Sequence, residues 1–324
     1  MIYNANRPTV IIDGLNLFIR HYIANPSTSR NGESTGGIVG FLHGVAFLCE
    51  KFNPGQVVII WEAGGSKRKR DKFKGYKSGR RPQKLNRYYE SDIPNTVQNR
   101  SRQVETIIKI LDNTPVLQIY TEDCEADDVI GYICKYQLRE KRKVIVSSDK
   151  DYYQLLDKKT IIYSPTWKKF VSFKQVSEKF KISSENFCLA KSICGDTSDC
   201  IDGVKGAGFK TLAKRFPTLG QKETVTIDDI IKESNDKILQ GTKIKLYRSI
   251  VDEEKIIRRN WSLIRLDTNN LSHSIIEKIK YSFDTFSQYD NKMEAIKIIR
   301  KEGIDNLNID RVFISMKSLA KRRR

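Results

Sequence analysis

Residues 8–14 have the sequence Pro-Thr-Val-Ile-Ile-Asp-Gly, a short run of β-branched side chains that ends in an acid and a glycine. This pattern predicts a buried β-strand and its exit loop. Three further apolar runs, at 57–61, 115–120 and 143–148, have the same character. Segments with the apolar spacing of a helix, such as 38–52, separate the runs. Doubly buried strands that alternate with helices predict an α/β fold with a mostly parallel sheet.

Three of the predicted strands are followed directly by a carboxylate: Asp13, Glu62 and Asp149. The carboxyl ends of the strands line the functional crevice of an open α/β sheet. A single aspartate after a strand is unremarkable, because this residue is favoured in turns. Three such acids favour instead a shared site at one end of the sheet.

The overall charge of the chain indicates a polyanionic partner. It has 58 Lys and Arg against 39 Asp and Glu, a formal net charge of +19. Nucleic acid is favoured over a membrane surface, and a soluble basic protein without such a partner is the alternative. Six cysteines without a C-x-x-C pair, and only three histidines, argue against a zinc site. With no apolar run of about 18 residues and no signal-peptide pattern, we expect a cytoplasmic monomer that does not bind membranes.

Residues 123–128, Asp-Cys-Glu-Ala-Asp-Asp, place four acids in six positions ahead of an apolar helical stripe. Acids at a helix N-terminus cap free N–H groups and interact favourably with the helix dipole. That role explains one or two acids, whereas Glu125, Asp127 and Asp128 together would repel and raise one another's pKa values. Divalent cations remove this cost, and Mg²⁺ and Mn²⁺ prefer carboxylate oxygens. We therefore expect a metal site here, with Asp123 only a loop or capping acid.

Two later stretches add acids in pairs. Asp149 and Asp151 lie on a predicted strand-to-helix turn and can face one crevice, and Asp196 and Asp199 share a face if their turn is helical. A glycine-rich segment then precedes a basic amphipathic helix, whose N-terminal N–H groups would bind phosphate. The residues expected to contact a nucleic-acid backbone here are Gly203, Lys205, Gly206, Gly208, Lys210 and Lys214.

Between Gly64 and Arg87 the composition becomes strongly basic, with eleven Lys or Arg against one acid. Interleaved aromatic residues in such a run suit an element that follows phosphates and stacks the bases of a single strand. A solvated loop is the alternative, and both descriptions hold if the segment becomes ordered only on substrate. The residues predicted to contact nucleic acid are Lys67, Arg68, Lys69, Arg70, Lys72, Lys74 and Tyr76.

In order and separation, these motifs resemble the flap endonuclease / 5′–3′ exonuclease family. The resemblance is greatest to its free-standing bacteriophage members of the phage RNase H type, and extends to the 5′-nuclease portion of bacterial DNA polymerase I. It covers residues 8–268. The motifs that carry it are Ile-Ile-Asp13-Gly-Leu-Asn, Glu125-Ala-Asp127-Asp128, Ser-Ser-Asp149-Lys-Asp151, Gly195-Asp196-Thr-Ser-Asp199 and the Gly-Val-Lys-Gly-Ala-Gly of 203–208.

This resemblance implies a 5′–3′ exonuclease and structure-specific flap endonuclease that hydrolyses DNA and RNA–DNA, and so removes RNA primers or 5′ flaps in replication. The implied fold is PIN-like, with a metal-dependent core (1–180), a duplex-binding helix–three-turn–helix region (181–272) and a helical extension with a basic tail (273–324). Segment 64–104 would form a helical arch or flexible loop around a single-stranded 5′ end. Single-strand-binding protein and a sliding clamp are implied partners, and the host cytoplasm is the location if a phage encodes the chain.

The resemblance also implies ligands for two or three Mg²⁺ or Mn²⁺ ions, in two clusters, and a K⁺ ion at the helix–three-turn–helix. The first cluster comprises Asp13, Glu62, Glu125 and Asp127. The second cluster, partly through water, comprises Asp128, Asp149, Asp151, Asp196 and Asp199.

Three basic residues match catalytic positions of the family. Lys77 and Arg80 match positions that touch the scissile phosphate, and Arg20 matches another basic position. The family usually has Asp where this chain has Glu62, whose side chain is one methylene longer. Glu62 could still be a metal ligand, and the alternatives are an altered metal spacing or a weaker activity.

Two other functions stay open at this point. A DNA-binding module of the same fold without catalysis would not need so complete a set of acids. A PIN-type ribonuclease usually lacks both the arch and the helix–hairpin–helix that this chain is expected to have.

Overall fold

The computed structural model describes residues 7–79 and 97–320, which form a six-stranded sheet covered by helices. The strand order is β3-β2-β1-β4-β5-β6; the first five strands are parallel and β6 is antiparallel to β5. The strands are β1 (Thr9–Asp13), β2 (Gln56–Ala63), β3 (Leu117–Glu122), β4 (Lys143–Val146), β5 (Thr160–Ser164) and β6 (Lys169–Val171). The prediction of an α/β fold with a mostly parallel sheet is confirmed. The sequence did not predict β6, because it is a three-residue edge strand with mostly exposed side chains.

The helices lie between and beyond these strands. In the described parts of the chain they are α1 (Gly14–Ala24), α2 (Gly36–Phe52), α3 (Lys67–Lys72), α4 (Val97–Leu111), α5 (Ala126–Tyr132), α6 (Phe173–Phe180), α7 (Ser184–Cys194), α8 (Phe209–Arg215), α9 (Ile227–Leu239), α10 (Lys245–Asp252), α11 (Glu254–Ile264), α12 (His273–Thr285), α13 (Lys292–Lys301) and α14 (Ile309–Ala320). A π-helical turn, Ile133–Gln137, extends α5. The 3₁₀ helices are Lys150–Leu155, Thr197–Asp199, Pro217–Gly220 and Thr268–Asn270.

Alternate residues of the central strands face opposite layers of the molecule. Ile11 belongs to the core that contains α5 and α7, whereas Val10 and Ile12 belong to the core that contains α1, α2 and α4. Because side chains alternate along a strand, these apolar runs must be buried on both faces. The register pairs Asp13 with Ile60, two residues before Glu62, so both acids lie at the same end of the sheet.

The C-terminal helices complete one of the two cores. Ala295 of α13 and Val312 and Leu319 of α14 are buried in the same cluster as Phe41 of α2. Removing these side chains from water stabilises the fold by about 25 cal/mol per Å² of apolar area. The C-terminal helices α13 and α14 therefore pack against α4 and α2 of the layer that covers the sheet.

The basic segment 64–104 is described only at its two ends. Residues up to Gly79 include α3, and α4 begins at Val97. Arg80 lies outside the described residues, as does the middle of the predicted arch. Among the described helices, none has the length and apolar composition needed to cross a membrane.

Candidate metal centre

Three acids at the carboxyl end of the sheet are held by backbone donors. Asp13 caps α1 by accepting a hydrogen bond from the Asn16 amide at 3.0 Å. Asp149 caps the 3₁₀ helix that follows β4 by accepting from the Asp151 amide at 2.9 Å. Glu62 accepts from the amide of Ala126, the first residue of α5, at 2.6 Å. The strand-end acids therefore lie at one end of the sheet, as the sequence predicted.

The first group of clustered acids is Glu125, Asp127 and Asp128, each with a carboxylate oxygen within 4.8 Å of the others. Two lysines of the basic segment pair with them. Lys69 Nζ lies 2.9 Å from Glu125 Oε2 and 2.8 Å from Asp128 Oδ2, and Lys77 Nζ forms an ion pair with Glu125. Asp128 thus lies beside Glu125 and Asp127 in this structure, and its expected role as a ligand of the second cluster stays a prediction.

The second group is Asp151, Asp196 and Asp199, again with oxygens within 4.8 Å of one another. Lys191 of α7 pairs with Asp151 and lies 2.6 Å from Asp196 Oδ2. Sequence reasoning missed Lys191. The available signal was a lone lysine in the apolar helix stretch Phe-Cys-Leu-Ala-Lys-Ser-Ile-Cys, five residues before Asp196.

Tyr76 connects the two groups. Its hydroxyl donates to Glu125 Oε2 at 2.8 Å and lies 3.4 Å from Asp199 Oδ2. The backbone amide of the next residue, Lys77, donates to the Asp199 carbonyl at 2.9 Å. The start of the basic segment is therefore fixed against both acidic groups.

Burial and mutual repulsion shift the pKa values of these acids. Burial, with a smaller contribution from the Glu62 and Asp149 charges, raises the pKa of Asp13 to about 7 against the effect of its backbone hydrogen bond. Burial likewise raises the pKa of Asp151 to about 7, although the Lys191 charge opposes it. Burial also acts on Glu125, but Lys69 and Lys77 together lower the pKa of Glu125 to about 2.

The donor chemistry of both groups fits hard divalent cations. Each group offers three carboxylates, and neither contains a histidine or cysteine among the residues that the structure describes. Mg²⁺, Mn²⁺ and Ca²⁺ prefer oxygen ligands of this kind. A cation would also relieve the repulsion that raises the pKa values of Asp13 and Asp151, because ligand carboxylates bind metal when deprotonated.

The basic residues of α3 and its surroundings divide into exposed and buried ones. Lys67, Arg70 and Lys74 are exposed, and their predicted contact with nucleic acid stays a prediction. Arg68 and Lys72 are also exposed, but each has a hydrogen-bond partner within the protein. The Arg68 guanidinium donates to the Leu271 carbonyl, and Lys72 Nζ donates to Asn270 Oδ1. The last two members of the predicted set, Lys69 and Tyr76, are only 1% and 5% exposed. The polar groups of Lys69 and Tyr76 face the carboxylate of Glu125 in this structure, and their expected contact with nucleic acid stays a prediction.

The hydrogen-bond partner of Arg20 is Thr166, whose hydroxyl oxygen also accepts from Ser148, the residue before Asp149. The Arg20 guanidinium donates to Thr166 Oγ1 at 2.8 Å, and within residues 7–79 and 97–320 no hydrogen bond joins it to the acidic groups.

The glycine-rich loop combines structural and surface positions. A Cβ at Gly203 would lie 2.1 Å from the Cys194 carbonyl oxygen, so close approach of two backbones requires glycine there. Gly206 has a φ of +82°, and Gly208 caps α8. Lys205, Lys210 and Lys214 are exposed beside them. Their contact with a phosphate backbone stays a prediction.

We expect Gly203→Ala to destabilise the protein strongly. The added methyl group has no room beside the Cys194 carbonyl, so the turn that carries Asp196 and Asp199 must move. The expected loss is a melting temperature lower by roughly 5 °C or more. Gly208→Ala is the matched control: its φ is −129° and nothing lies within 4 Å of the added Cβ. Equal melting temperatures for the two variants, by circular dichroism, would contradict this account.

The fold and its acidic groups define an α/β protein with two carboxylate groups, suited to hard cations, at the carboxyl end of a parallel sheet. Residues 8–181 match the family model of the 5′-3′ exonuclease N-terminal, resolvase-like domain. The chain is 28% identical over 298 residues to a 5′-3′ exonuclease of Buchnera aphidicola subsp. Acyrthosiphon pisum, covering 89% of this chain and 99% of that protein. The chain therefore belongs to the 5′-3′ exonuclease family, a family of nucleases, as its motifs predicted.

Two further comparisons agree with this assignment. The chain is 28% identical over 218 residues (67% of its length) to DNA polymerase I of Thermus filiformis, and spans about a quarter, 24%, of that enzyme. A phage T5 flap endonuclease, solved as a pseudo-enzyme-product complex with DNA and metal ions, has a TM-score of 0.64 at 20% identity. The match covers 91% of this chain and 99% of that one, which shows that the fold is shared.

Proposed function

We propose that this chain is a metal-dependent 5′–3′ exonuclease and flap endonuclease that acts on 5′-flapped or branched DNA and on RNA–DNA duplexes. Its task would be the removal of RNA primers or 5′ flaps in DNA replication. The observation that carries the proposal is the pair of carboxylate groups at the sheet end, joined through Tyr76 to a basic segment. The DNA and metal ions solved with the related T5 flap endonuclease support the same ligand classes here.

The proposed cofactors are two or three Mg²⁺ or Mn²⁺ ions. When bound, such ions activate a water molecule and stabilise negative charge on the leaving 3′-oxygen. One ion would be held by Glu125 and Asp127 with help from the strand-end acids Asp13 and Glu62. The other would be held by the second group, which comprises Asp151, Asp196 and Asp199, together with Asp149.

Lys77 would act directly on the substrate phosphate. Its Nζ pairs with Glu125 and lies 4.0 Å from Asp199 Oδ2, so it contacts both acidic groups. A phosphate at the site would compete with Glu125 for this ammonium group, which would then stabilise the charge that develops in the transition state. Arg80 and Arg20 are proposed as further phosphate contacts, and the products would be a 5′-phosphate and a 3′-hydroxyl.

Duplex DNA would bind at the glycine-rich loop and α8, with a K⁺ ion as a further proposed ligand there. Support comes from the exposed ammonium groups of Lys205, Lys210 and Lys214 on one short stretch. A sliding clamp and single-strand-binding protein are proposed as partners on the basis of the replication role alone.

We expect binding of a 5′-flap duplex to weaken steeply with salt. The slope of log K against log salt should be roughly −0.9 per phosphate contacted. Lys210→Ala should make the slope less negative by about one, if this lysine contacts a phosphate. Lys158→Ala is the control, because this exposed lysine precedes β5 at the opposite end of the sheet. Fluorescence anisotropy in Ca²⁺ measures both, and a flat salt response would contradict the proposed interface.

One cleavage experiment tests the proposed function. End-labelled 5′-flap, nicked and RNA–DNA substrates are incubated with the protein in Mg²⁺, in Ca²⁺ and in EDTA. We expect short 5′ products in Mg²⁺ and none in EDTA. Binding without cleavage would identify a non-catalytic DNA-binding module, and cleavage of RNA without regard to a 5′ end would identify a PIN-type ribonuclease. Either of these two outcomes would overturn the proposal.

A further inference from the structure

Among the lysines of the basic run up to Gly79, Lys69 differs from the others in being buried. Its side chain is 1% exposed, and its Nζ lies 2.9 Å from Glu125 Oε2, 2.8 Å from Asp128 Oδ2 and 3.6 Å from Asp127 Oδ1. Burial disfavours its charge, but the nearby carboxylates more than compensate and raise the pKa of Lys69 well above its usual value. Lys69 is therefore a fixed cation inside the first acidic group, and cannot reach a phosphate in solvent.

Asp128 is enclosed by protein groups. It is 0% exposed, whereas the Asp127 side chain retains 17% exposure. Asp128 has a second partner besides Lys69: Nδ2 of Asn270 donates a hydrogen bond to Asp128 Oδ1 at 3.2 Å. Asn270 is itself 1% exposed and comes from the 3₁₀ helix Thr268–Asn270, far along the chain. Oδ1 of Asp128 therefore accepts a hydrogen bond from Asn270, whereas the buried Oδ2 accepts none within the described residues and is held by the charge of Lys69, 2.8 Å away.

We propose that Lys69 and Asp128 form a buried ion pair that persists whether or not a metal ion is bound. Lys69 is then the counter-cation of the first acidic group. Asp128 binds Lys69 and is not a metal ligand. The inference rests on the proposed metal dependence and makes it more specific. It removes Asp128 from the expected set of metal ligands. It also makes Lys69 a positioning residue, which acts on the substrate only through the carboxylates.

The ion pair has a consequence for metal binding that a purely structural contact lacks. In the absence of divalent ions, Lys69 pairs with Glu125, Asp127 and Asp128, while Lys77 pairs with Glu125 as well. Loss of the Lys69 charge would therefore leave the buried Asp128 carboxylate without its ion-pair partner. A divalent ion at Glu125 and Asp127 supplies positive charge of its own and repels Lys69. The loss of the Lys69 charge should therefore be most damaging in EDTA and least damaging with divalent ions.

Thermal unfolding of the full chain in EDTA and in saturating Ca²⁺ tests this. We expect Lys69→Met to lower the melting temperature in EDTA by roughly 5–10 °C. Ca²⁺ should recover at least half of that loss, so that the Ca²⁺-induced increase is larger than in the wild type. Lys69→Arg keeps the charge and should respond to Ca²⁺ as the wild type does. Lys69→Met with Asp128→Asn should lose less stability in EDTA than the sum of the two single losses.

Lys143→Met is the matched control. Lys143 is also 1% exposed, but its Nζ donates to the Leu138 and Arg139 carbonyls and to no carboxylate of the site. This variant should lose stability equally in both conditions, with the Ca²⁺-induced increase unchanged.

The outcomes separate this inference from the proposed function. A Lys69→Met variant whose Ca²⁺-induced increase equals or falls below that of the wild type overturns the inference. So does an Asp128→Asn variant that has lost its Ca²⁺ response, because Asp128 would then be a metal ligand. If the wild type itself shows no response to any divalent ion, the proposed metal dependence fails. The double-substitution comparison in EDTA then still decides whether the buried pair exists. If Lys69→Met alone does not fold, folding of the double variant supports the pair and its failure to fold overturns it.

Discussion

Substitution of both Asp149 and Asp151 by asparagine is expected to abolish phosphodiester cleavage in Mg²⁺, with a loss on the order of 10³-fold or more. Both side chains lie at the turn after β4, where Asp151 belongs to the second acidic group. Asparagine keeps the shape and the helix cap that Asp149 provides, but it removes two negative charges that a divalent cation would use. The fold should therefore survive while the chemistry is lost.

The measurement is single-turnover cleavage of a 5′-flap substrate, with the melting temperature as a check on folding. Asp157→Asn is the matched control, because Asp157 lies in the same stretch of chain, is exposed and accepts local backbone hydrogen bonds that asparagine also accepts. It should cleave as the wild type does. Cleavage by the double variant within tenfold of the wild type would refute the metal-based mechanism.

Asp13→Asn is expected to make the protein more stable at pH 8 in the absence of divalent ions. Burial and neighbouring acids raise the pKa of Asp13 from 3.8 to about 7 in the folded state. A raised carboxyl pKa means that the folded state binds the proton more tightly, so this contribution to stability is present below about pH 4 and is lost as pH rises through 7. At pH 8 the ionised carboxylate therefore destabilises the fold.

The size of the effect follows from the shift. A change from 3.8 to about 7 corresponds to on the order of 4 kcal/mol as an upper bound. Part of the Asp13 side chain reaches solvent, so we expect about half of this free energy. The melting temperature of Asp13→Asn should then be higher than that of the wild type by roughly 4 °C. The cap on α1 persists, because asparagine is as good an N-cap as aspartate.

Melting temperatures in EDTA between pH 4 and pH 8 check this expectation. The gain should shrink as pH falls below 7 and vanish below about pH 4, where Asp13 of the wild type is protonated in both the folded and the unfolded state. Asp123→Asn changes the same charge on an exposed loop residue with a φ of +57°, which asparagine tolerates, and should leave stability unchanged. A lower melting temperature for Asp13→Asn than for the wild type at pH 8 would contradict this prediction. It would mean that the interactions of the ionised Asp13 stabilise the fold by more than its burial and repulsion destabilise it.

The strand-end acids could be predicted from sequence because the signal is local. An apolar run identifies the strand, and parallel pairing then places Asp13, Glu62 and Asp149 at one end of the sheet. Which acids lie together in each acidic group cannot be predicted from the local sequence. Adjacent helical residues such as Asp127 and Asp128 point in different directions, and which one is enclosed depends on Asn270, which is 142 residues from Asp128 in the sequence.

The basic run shows the same limit. The sequence gives no indication of which of Lys67, Lys69 and Lys72 is buried, since all three belong to one short basic helix. Only the packing of α3 against α5 and the 3₁₀ helix that contains Asn270 selects Lys69 as the buried one. Lys191 escaped prediction for a related reason, because a single lysine in an apolar helix gives no indication of the carboxylates that it will meet.

The order of strands in the sheet has a consequence for the newly made chain. The three strands that carry the acids are neighbours in space, β2-β1-β4, although Asp13 and Asp149 are separated by most of the first half of the sequence. Asp196 and Asp199 follow later still, beyond α7. Pairings of such distant segments form only after long stretches of chain have closed upon themselves. A partly synthesised polypeptide therefore lacks Asp196 and Asp199, and the proposed metal site can form only after residue 199 has been translated.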